Sequence, residues 1–359
     1  MKTLTRRQFG LGMMAAAASV AGVAALGTPR LASAATGKRS FDEGRYVDIN
    51  GIEQWVTIRG QDARNPVVVF LHGGPGVGMA SAAPLFFDWE SRYTVVQWDQ
   101  PRSGFTHAHN LNRDIGPLTL ERYTADAVAV VNHVRKTTGA KRVVLLGHSW
   151  GSQIGLTLAQ RHPELLSAYI GTGQAVSNSR GGKLGYELAL DAARQRDDAK
   201  AIAALEKVGP PPYSTLEDFF VRQQYTNPPG YPASASEKEH SAELMKLTSG
   251  PAPAGATYVP AEVPQYNGVA NFLETQRLVF RESAKFEAAQ MLGYRYRVPI
   301  YFFEGENDIN VPVALAREYF ERIEAPRKGF RVIPGAGHGT MAFHAELLAL
   351  LESDVRPQL

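Results

Sequence analysis

Runs of consecutive apolar residues recur along the chain and alternate with segments whose apolar residues have helical spacing. The apolar runs lie at 66–71, 93–98, 141–146, 165–170, 299–303 and 329–333. Such runs are typical of strands that are buried on both faces of a sheet. Between them lie helical segments at 118–138, 154–160, 313–323 and 341–352. The alternation predicts an α/β fold in which a mostly parallel central sheet is flanked by helices.

Two shorter segments near residue 50 alternate between apolar and polar positions instead. They lie at 45–49 and 52–58 and flank Asn50-Gly51. Asn-Gly between two alternating segments is the strongest short sequence signal for a β-hairpin. We therefore expect an antiparallel hairpin ahead of the parallel strands.

The pattern changes between residues 172 and 297. Four helical segments follow one another there, at 187–208, 215–225, 236–248 and 271–292. Loops rich in Pro and Gly separate them, and no run of strand character interrupts them. The sequence therefore predicts a helical cap at 172–297, inserted into one α/β core that is formed by 41–171 and 298–359.

The first 34 residues have the pattern of an export signal. Arg6 and Arg7 precede a weakly apolar stretch at 12–26, and an Ala-Ser-Ala cleavage site follows at 32–34. Paired arginines resemble a twin-arginine signal, and the apolar stretch is shorter than the roughly 20 residues that cross a bilayer. We expect residues 1–34 to be a signal peptide. The mature protein is then periplasmic or secreted, with no stable membrane span after cleavage.

Composition and charge exclude several classes of function. The net charge of +3 depends on four basic residues within 1–34, so the remainder is close to neutral. Nucleic-acid binding is not expected, because it needs clustered Lys and Arg to neutralise phosphates. There is no cysteine, which excludes disulfides, thiolate metal sites and a cysteine nucleophile.

The strongest chemical motif is Gly-His-Ser-Trp-Gly at 147–151. It fits the pattern G-x-S-x-G, with a predicted strand before it and a predicted helix after it, which is the context that this motif requires. Glycines two positions either side of the serine permit a sharp turn that exposes the hydroxyl. Ser149 is therefore the candidate nucleophile.

A serine hydroxyl is a weak nucleophile until a base removes its proton. His338 lies in Pro-Gly-Ala-Gly-His-Gly at 334–339, directly after a predicted strand. A base must reach the serine from a loop of this kind, whereas most of the other histidines lie on predicted helices or in the cap. His338 is the candidate base.

An acid is needed to orient the histidine. Asp308 follows the predicted strand at 299–303, at the end of the sheet where catalytic groups of α/β proteins gather. The chain order serine, acid, histidine matches the order found in hydrolases with G-x-S-x-G. Asp308 is the candidate acid, and Glu304 and Glu306 are nearby competitors.

Acyl transfer also needs donors for the oxyanion, each worth about 3 kcal/mol. The backbone N–H of Trp150, next to the nucleophile, is one candidate. The second is expected from His-Gly-Gly at 72–74, with Gly74 as the preferred donor, because glycine lets the backbone approach closely.

Three motifs together resemble the proline iminopeptidase-like branch of the α/β-hydrolases: His-Gly-Gly-Pro-Gly at 72–76, Trp-Asp-Gln-Pro-Arg-Ser-Gly at 98–104 and Gly-His-Ser-Trp-Gly at 147–151. The resemblance implies an α/β-hydrolase fold and release of an N-terminal proline or similar residue from a short peptide, without metal or cofactor. It also implies cap glutamates that bind the substrate ammonium, for which Glu274 is the candidate in this chain. The cap has no Trp-x-x-Trp-Glu signature, and the second motif departs from Asp-Gln-Arg-Gly-x-Gly.

The leading interpretation is a serine hydrolase that acts on a small molecule or short peptide, with aminopeptidase activity first. A carboxylesterase, lactonase or amidase remains open, because substrate choice depends on the cap. A hydrolase-fold binding protein without catalysis is the alternative from another class of function.

Overall fold

The structure is a computed structural model that describes residues 39–228, 230–231, 233–248 and 250–359. The predicted signal peptide lies outside the described residues. Eight strands form one sheet in the order β1-β2-β4-β3-β5-β6-β7-β8. The strands are β1 Phe41–Ile49, β2 Ile52–Gly60, β3 Val67–Leu71, β4 Thr94–Trp98, β5 Val143–His148, β6 Leu166–Thr172, β7 Ile300–Gly305 and β8 Lys328–Ile333.

The predicted hairpin and the predicted parallel sheet are both confirmed. β1 and β2 pair antiparallel around Asn50 and Gly51, and both turn residues have positive φ, at 52° and 88°. Positive φ at both central residues is what a type I′ hairpin turn requires. β2 pairs antiparallel with β4, and all the remaining strand pairs are parallel.

Helices cover both faces of the sheet. The helices outside the β6–β7 connection are α1 Gly104–His109, α2 Leu120–Thr138, α3 Trp150–Arg161, α10 Val313–Arg322 and α11 His344–Leu350. Along β3, Val67, Val69 and Leu71 pack into the core cluster that includes α2, α3 and α10. Val68 and Phe70 pack into the opposite cluster, with α11 and the 3₁₀ segment Ala80–Ser91. This division explains why the strand has no polar position.

Between β6 and β7 the described residues form six helices. They are α4 Asn178–Gln195, α5 Ala199–Val208, α6 Leu216–Thr226, α7 Ala235–Thr248, α8 Gly268–Ser283 and α9 Ala288–Met291. α4, α5 and α6 share a small core of their own around Tyr186, Leu190 and Leu205. None of the helices in the described part of the chain is long and apolar enough to cross a bilayer.

The observed helices differ from the sequence patterns in four places. The predicted helix 187–208 is two helices, because Asp197 has a positive φ of 53° and the side chain of Asp198 accepts the Ala201 N–H as the N-cap of the second helix. The predicted helix 271–292 is likewise two helices. The C-terminal helix is divided into a 3₁₀ turn at Thr340–Phe343, α11 and a π turn at Leu351–Val355. The 3₁₀ segment Ala80–Ser91 was not predicted, because Pro and Ala-rich sequence gave it no helical period.

Candidate active site

Ser149 occupies the sharp turn between β5 and α3. Its backbone has φ 53° and ψ −118°, a conformation that is strained for any residue other than glycine. A Cβ on Gly151 would overlap the carbonyl oxygen of Leu71, and one on Gly147 would lie 2.6 Å from the carbonyl oxygen of Gly151. Gly151 is therefore required by the close approach of the turn to β3, and Gly147 by the close approach of β5 to the first turn of α3.

The structure brings Ser149, His338 and Asp308 together. Nε2 of His338 lies 3.0 Å from Oγ of Ser149, and Nδ1 lies 2.7 Å from Oδ2 of Asp308. With Nδ1–H donated to the carboxylate, Nε2 is left to accept the hydroxyl proton. Asp308 is buried, and its second oxygen accepts the Val311 N–H at 2.8 Å. Asp308 follows β7 and His338 follows β8, so neighbouring parallel strands deliver both side chains to one edge of the sheet.

The two competing acids have other partners. Glu304 is buried at the end of β7, and the backbone N–H of Gln174 donates to it at 3.1 Å. Burial raises the pKa of Glu304 to about 8, and the nearby Asp308 carboxylate adds to the effect. Glu304 is therefore largely protonated at neutral pH. The carboxylate of Glu306 accepts the Gly335 N–H at 2.9 Å, and this hydrogen bond joins the loop after β7 to the loop after β8.

Gly74 and Trp150 line the same cavity as Ser149. Trp150 is the first residue of α3, so its N–H has no acceptor four residues earlier in the helix. Gly74 has φ 114°, which only glycine adopts without strain, and a Cβ on the neighbouring Gly73 would lie 3.0 Å from Cβ of Ser149. Both backbone segments thus pass close to the serine.

His72 and Asp99 hold the loops around this site, roles that the sequence did not indicate. Nε2 of His72 accepts the Gln100 N–H at 3.1 Å, and burial lowers the pKa of His72 to about 4, so the ring stays neutral. Asp99 accepts backbone N–H bonds from Met79, Ala80 and Phe105. Burial raises its pKa to about 6 despite those donors. The motif at 98–104 thus holds the loop after β4 in place through the hydrogen bonds of Asp99 and Gln100.

Glu237 on α7 is a third residue that the sequence did not single out. Its buried carboxylate packs so closely on Gly337 that a Cβ there would overlap Oε1. Burial raises the pKa of Glu237, and the neighbouring Asp308 carboxylate adds to the effect. The helix therefore contacts the loop that carries His338 through a polar group.

Glu274, the candidate for binding a substrate ammonium, does not line the cavity. Its side chain is 58% exposed on α8, and the Arg102 guanidinium donates to it at 3.2 Å. A carboxylate with an arginine partner at the surface is separate from the groups around Ser149.

The cavity next to Ser149 has a volume of about 370 Å³ and lies between the core and the helices that connect β6 and β7. No Asp or Glu is among its lining residues in the described chain, whereas Arg222 and Arg281 are. Arg222 is buried, and Arg281 is exposed. The described residues also contain no group of three His, Asp or Glu side chains placed to hold a metal ion.

Comparison with known proteins identifies a family and several relatives that this chain resembles. Residues 66–345 match the family described as alpha/beta hydrolase fold. A probable aminopeptidase of Bacillus subtilis, YbaC, is 22% identical over 302 residues, which are 84% of this chain and 92% of the relative. A proline iminopeptidase of Neisseria gonorrhoeae is 32% identical over 136 residues, only 37% of this chain and 40% of the relative.

Solved structures show the same fold. A proline iminopeptidase-related protein from Thermus thermophilus superposes with a TM-score of 0.56 at 20% identity, over 89% of this chain and all of the other. Est816, described as an N-acyl homoserine lactone degrading enzyme, gives a TM-score of 0.53 at 18% identity, over 86% of this chain and all of the other. At these identities the match concerns the fold alone.

Proposed function

Because the chain belongs to the alpha/beta hydrolase fold family, we propose that it is a serine hydrolase that forms an acyl-enzyme on Ser149. His338 acts as general base and then general acid, and Asp308 holds the imidazole ring. Trp150 and Gly74 contribute backbone N–H donors to the oxyanion. The substrate is a small ester, amide or short peptide.

The steps follow from the atoms that are in contact. Nε2 of His338 takes the Ser149 proton while Oγ attacks the carbonyl carbon of the substrate. Asp308 stabilises the imidazolium that forms. His338 then returns the proton to the leaving group as the carbonyl–heteroatom bond breaks. Water attacks the acyl-enzyme by the same route in reverse order and frees Ser149.

One observation carries this proposal. Three side chains from three separate loops form a continuous hydrogen-bonded chain, with distances of 3.0 and 2.7 Å, at the wall of a cavity. The strained backbone of Ser149 supports the same reading, because strain at φ 53° is retained where function needs the side chain in place.

The relatives named as aminopeptidases support the finer proposal of aminopeptidase activity, with release of an N-terminal residue from short peptides. A second candidate is hydrolysis of an ester, a lactone or another amide. It is favoured by the cavity lining, which within the described residues has no carboxylate to pair with a substrate ammonium.

Turnover of two substrates separates these candidates. Prolyl 4-nitroanilide and 4-nitrophenyl butyrate are compared with the wild-type protein and with Ser149→Ala as the matched control. Cleavage of the anilide that disappears in Ser149→Ala supports the aminopeptidase, and ester-only cleavage supports the second candidate. Absence of turnover of both, in a protein that is folded by circular dichroism, supports the non-catalytic binding protein instead.

A further inference from the structure

Arg222 is a buried cation in the wall of the Ser149 cavity. It lies on α6, and only 4% of its surface is exposed. Phe219 and Gln223 lie three and one residues away on the same helix and also line the cavity. Residues spaced by three or four positions share one helix face, so α6 presents this face to the cavity. The Phe219 ring lies 5.5 Å from the guanidinium.

The partners of Arg222 within the protein are weak. Its NH1 and NH2 groups donate to the carbonyl and side-chain oxygens of Asn310 at 3.5 and 3.4 Å, close to the limit for a hydrogen bond. Its Nε has no hydrogen-bond partner in the described chain. Asp308 is the nearby acid, and its two oxygens are already bonded to His338 and Val311.

A buried guanidinium without a carboxylate is unusual, because a buried charge is costly unless it is paired. Burial lowers the pKa of Arg222, but an arginine keeps its proton in proteins. The positive charge is therefore present in the cavity wall, and no described lining residue neutralises it.

Other polar groups around the cavity also lack partners. The side chains of Tyr213, Gln223 and Gln153 line it, and each has one buried polar atom without a hydrogen bond in the described residues. Burial raises the pKa of Tyr213 to about 12, so its hydroxyl stays protonated and can donate. Tyr213 and Arg222 line the same cavity, and the Arg222 charge lowers the pKa of Tyr213 against the larger effect of burial.

We propose that Arg222 binds a carboxylate of the substrate, so that the site hydrolyses small acyl compounds that carry one negative charge. The proposal rests on the function proposed above, with Ser149 as the nucleophile. A guanidinium matches a carboxylate because its planar donors form two parallel hydrogen bonds. A single arginine neutralises one charge, which fits a carboxylate better than a doubly charged phosphate.

The carboxylate has two chemical sources. It is on the acyl side in a monoester of a dicarboxylic acid, or on the leaving-group side, as in the C-terminal carboxylate of a dipeptide. Both satisfy Arg222, whereas a substrate whose only charge is an ammonium is repelled by it. Two matched pairs of esters distinguish the sources.

In the first pair, mono-4-nitrophenyl glutarate is compared with its neutral methyl ester. In the second, 4-acetoxybenzoate is compared with its neutral methyl ester, with acetate release as the readout. The variants are Arg222→Met, which removes the charge, and Arg222→Lys, which keeps it. Arg277→Met is the matched control, because Arg277 is an exposed arginine on α8 that does not line the cavity.

We expect the wild type to prefer the charged member of one pair. Arg222→Met should lower kcat/KM for that substrate by about 10- to 100-fold, the range for hydrogen bonds to a charged group, and change the neutral member by less than 3-fold. Arg222→Lys should restore part of the preference, and Arg277→Met should retain all of it. Equal turnover of both members in both pairs, or a preference that survives Arg222→Met, overturns the proposal.

A binding experiment keeps this test independent of catalysis. In a Ser149→Ala background, monomethyl glutarate, which carries one carboxylate, should raise the thermal unfolding midpoint, and neutral dimethyl glutarate or inorganic phosphate should not. Adding Arg222→Met should abolish the effect of monomethyl glutarate. If the ester assays show no turnover but monomethyl glutarate binds through Arg222, the hydrolase proposal fails and the carboxylate site stands. If esters are cleaved without an effect of Arg222, the opposite holds.

Discussion

Oγ of Ser149 lies 3.0 Å from Nε2 of His338, although 189 positions separate the two residues in the chain. The two residues lie close together because β5 and β8 are parallel, so that the loops that follow them lie at the same edge of the sheet. The distance is within the range in which a base can take a hydroxyl proton. The proposed chemistry therefore depends on the sheet and on two loops that hydrogen bonds hold in place.

The contact between Asp308 and His338 predicts the effect of removing the charge without changing shape. Asp308→Asn should lower kcat roughly 1,000- to 10,000-fold, because an amide favours the wrong tautomer of the imidazole. The steady-state rate on the ester substrate measures this effect. Glu306→Gln is the matched control on the same loop and should stay within 3-fold of wild type. Equal rates for Asp308→Asn and wild type would contradict the role assigned to Asp308.

Glu304 predicts a pH dependence of stability. Its pKa is raised from 4.5 to about 8 by burial, so the folded protein holds this proton more tightly than the unfolded chain. The stabilisation of the folded state that comes from this raised pKa is fully present below pH 4.5 and is lost as the pH rises through about 8. Glu304→Gln keeps an acceptor for the Gln174 N–H but cannot ionise.

The wild type should lose stability relative to Glu304→Gln as the pH rises. We expect the free energy of unfolding of Glu304→Gln minus that of wild type to be larger at pH 9 than at pH 5, by on the order of a few kcal/mol. Urea unfolding of both proteins at the two pH values measures the difference, in which other titrating groups largely cancel. A difference that does not change with pH, or that changes with the opposite sign, is inconsistent with a buried, protonated Glu304.

The close contact between the turn at Ser149 and β3 predicts that a larger residue at position 151 destabilises the protein. Gly151→Ala should lower the free energy of unfolding by about 1–3 kcal/mol or more, because the new methyl group overlaps the Leu71 carbonyl oxygen. Gly339→Ala is the control, since a Cβ there meets nothing within 4 Å and the backbone φ is −76°. Urea unfolding is the measurement. Similar stabilities for the two variants would show that the turn is not tightly packed.

The proposed export signal predicts the location of the protein. Replacing both arginines in Arg6→Lys/Arg7→Lys should keep the protein in the cytoplasm of a bacterium that has the twin-arginine route. Wild type should reach the periplasm or the medium with a shortened N-terminus. Cell fractionation and N-terminal sequencing measure both properties. Unprocessed wild-type protein in the cytoplasm would contradict the signal-peptide proposal.

The residues of the site that were predictable from the sequence are those whose position depends on local signals. Ser149, Asp308 and His338 each follow an apolar strand in a short loop, and parallel strands end at a common edge. Asn50-Gly51 was predictable for the same reason, because the turn chemistry lies within two residues. These features need no knowledge of distant packing.

The cavity lining was not predictable in this way. Arg222 faces the cavity only because α6 packs with α4 and α5, and its helical pattern alone resembles a solvated face. Glu274 has similar spacing on α8, yet it lies at the surface with Arg102. Its charge alone did not reveal its position, because the direction of a helix face depends on tertiary contacts. The available signal was Phe219, an apolar residue three positions before Arg222 and therefore on the same face of the helix.

Covalent labelling tests the proposed nucleophile. Wild-type protein, Ser149→Ala and His338→Ala are treated with a fluorophosphonate, and intact mass and peptide mapping locate the adduct. The account predicts one adduct per wild-type chain, on Ser149, none on Ser149→Ala, and labelling of His338→Ala that is slower by orders of magnitude. Folded wild-type protein that takes up no label, or takes it up at another residue, would contradict the proposed mechanism.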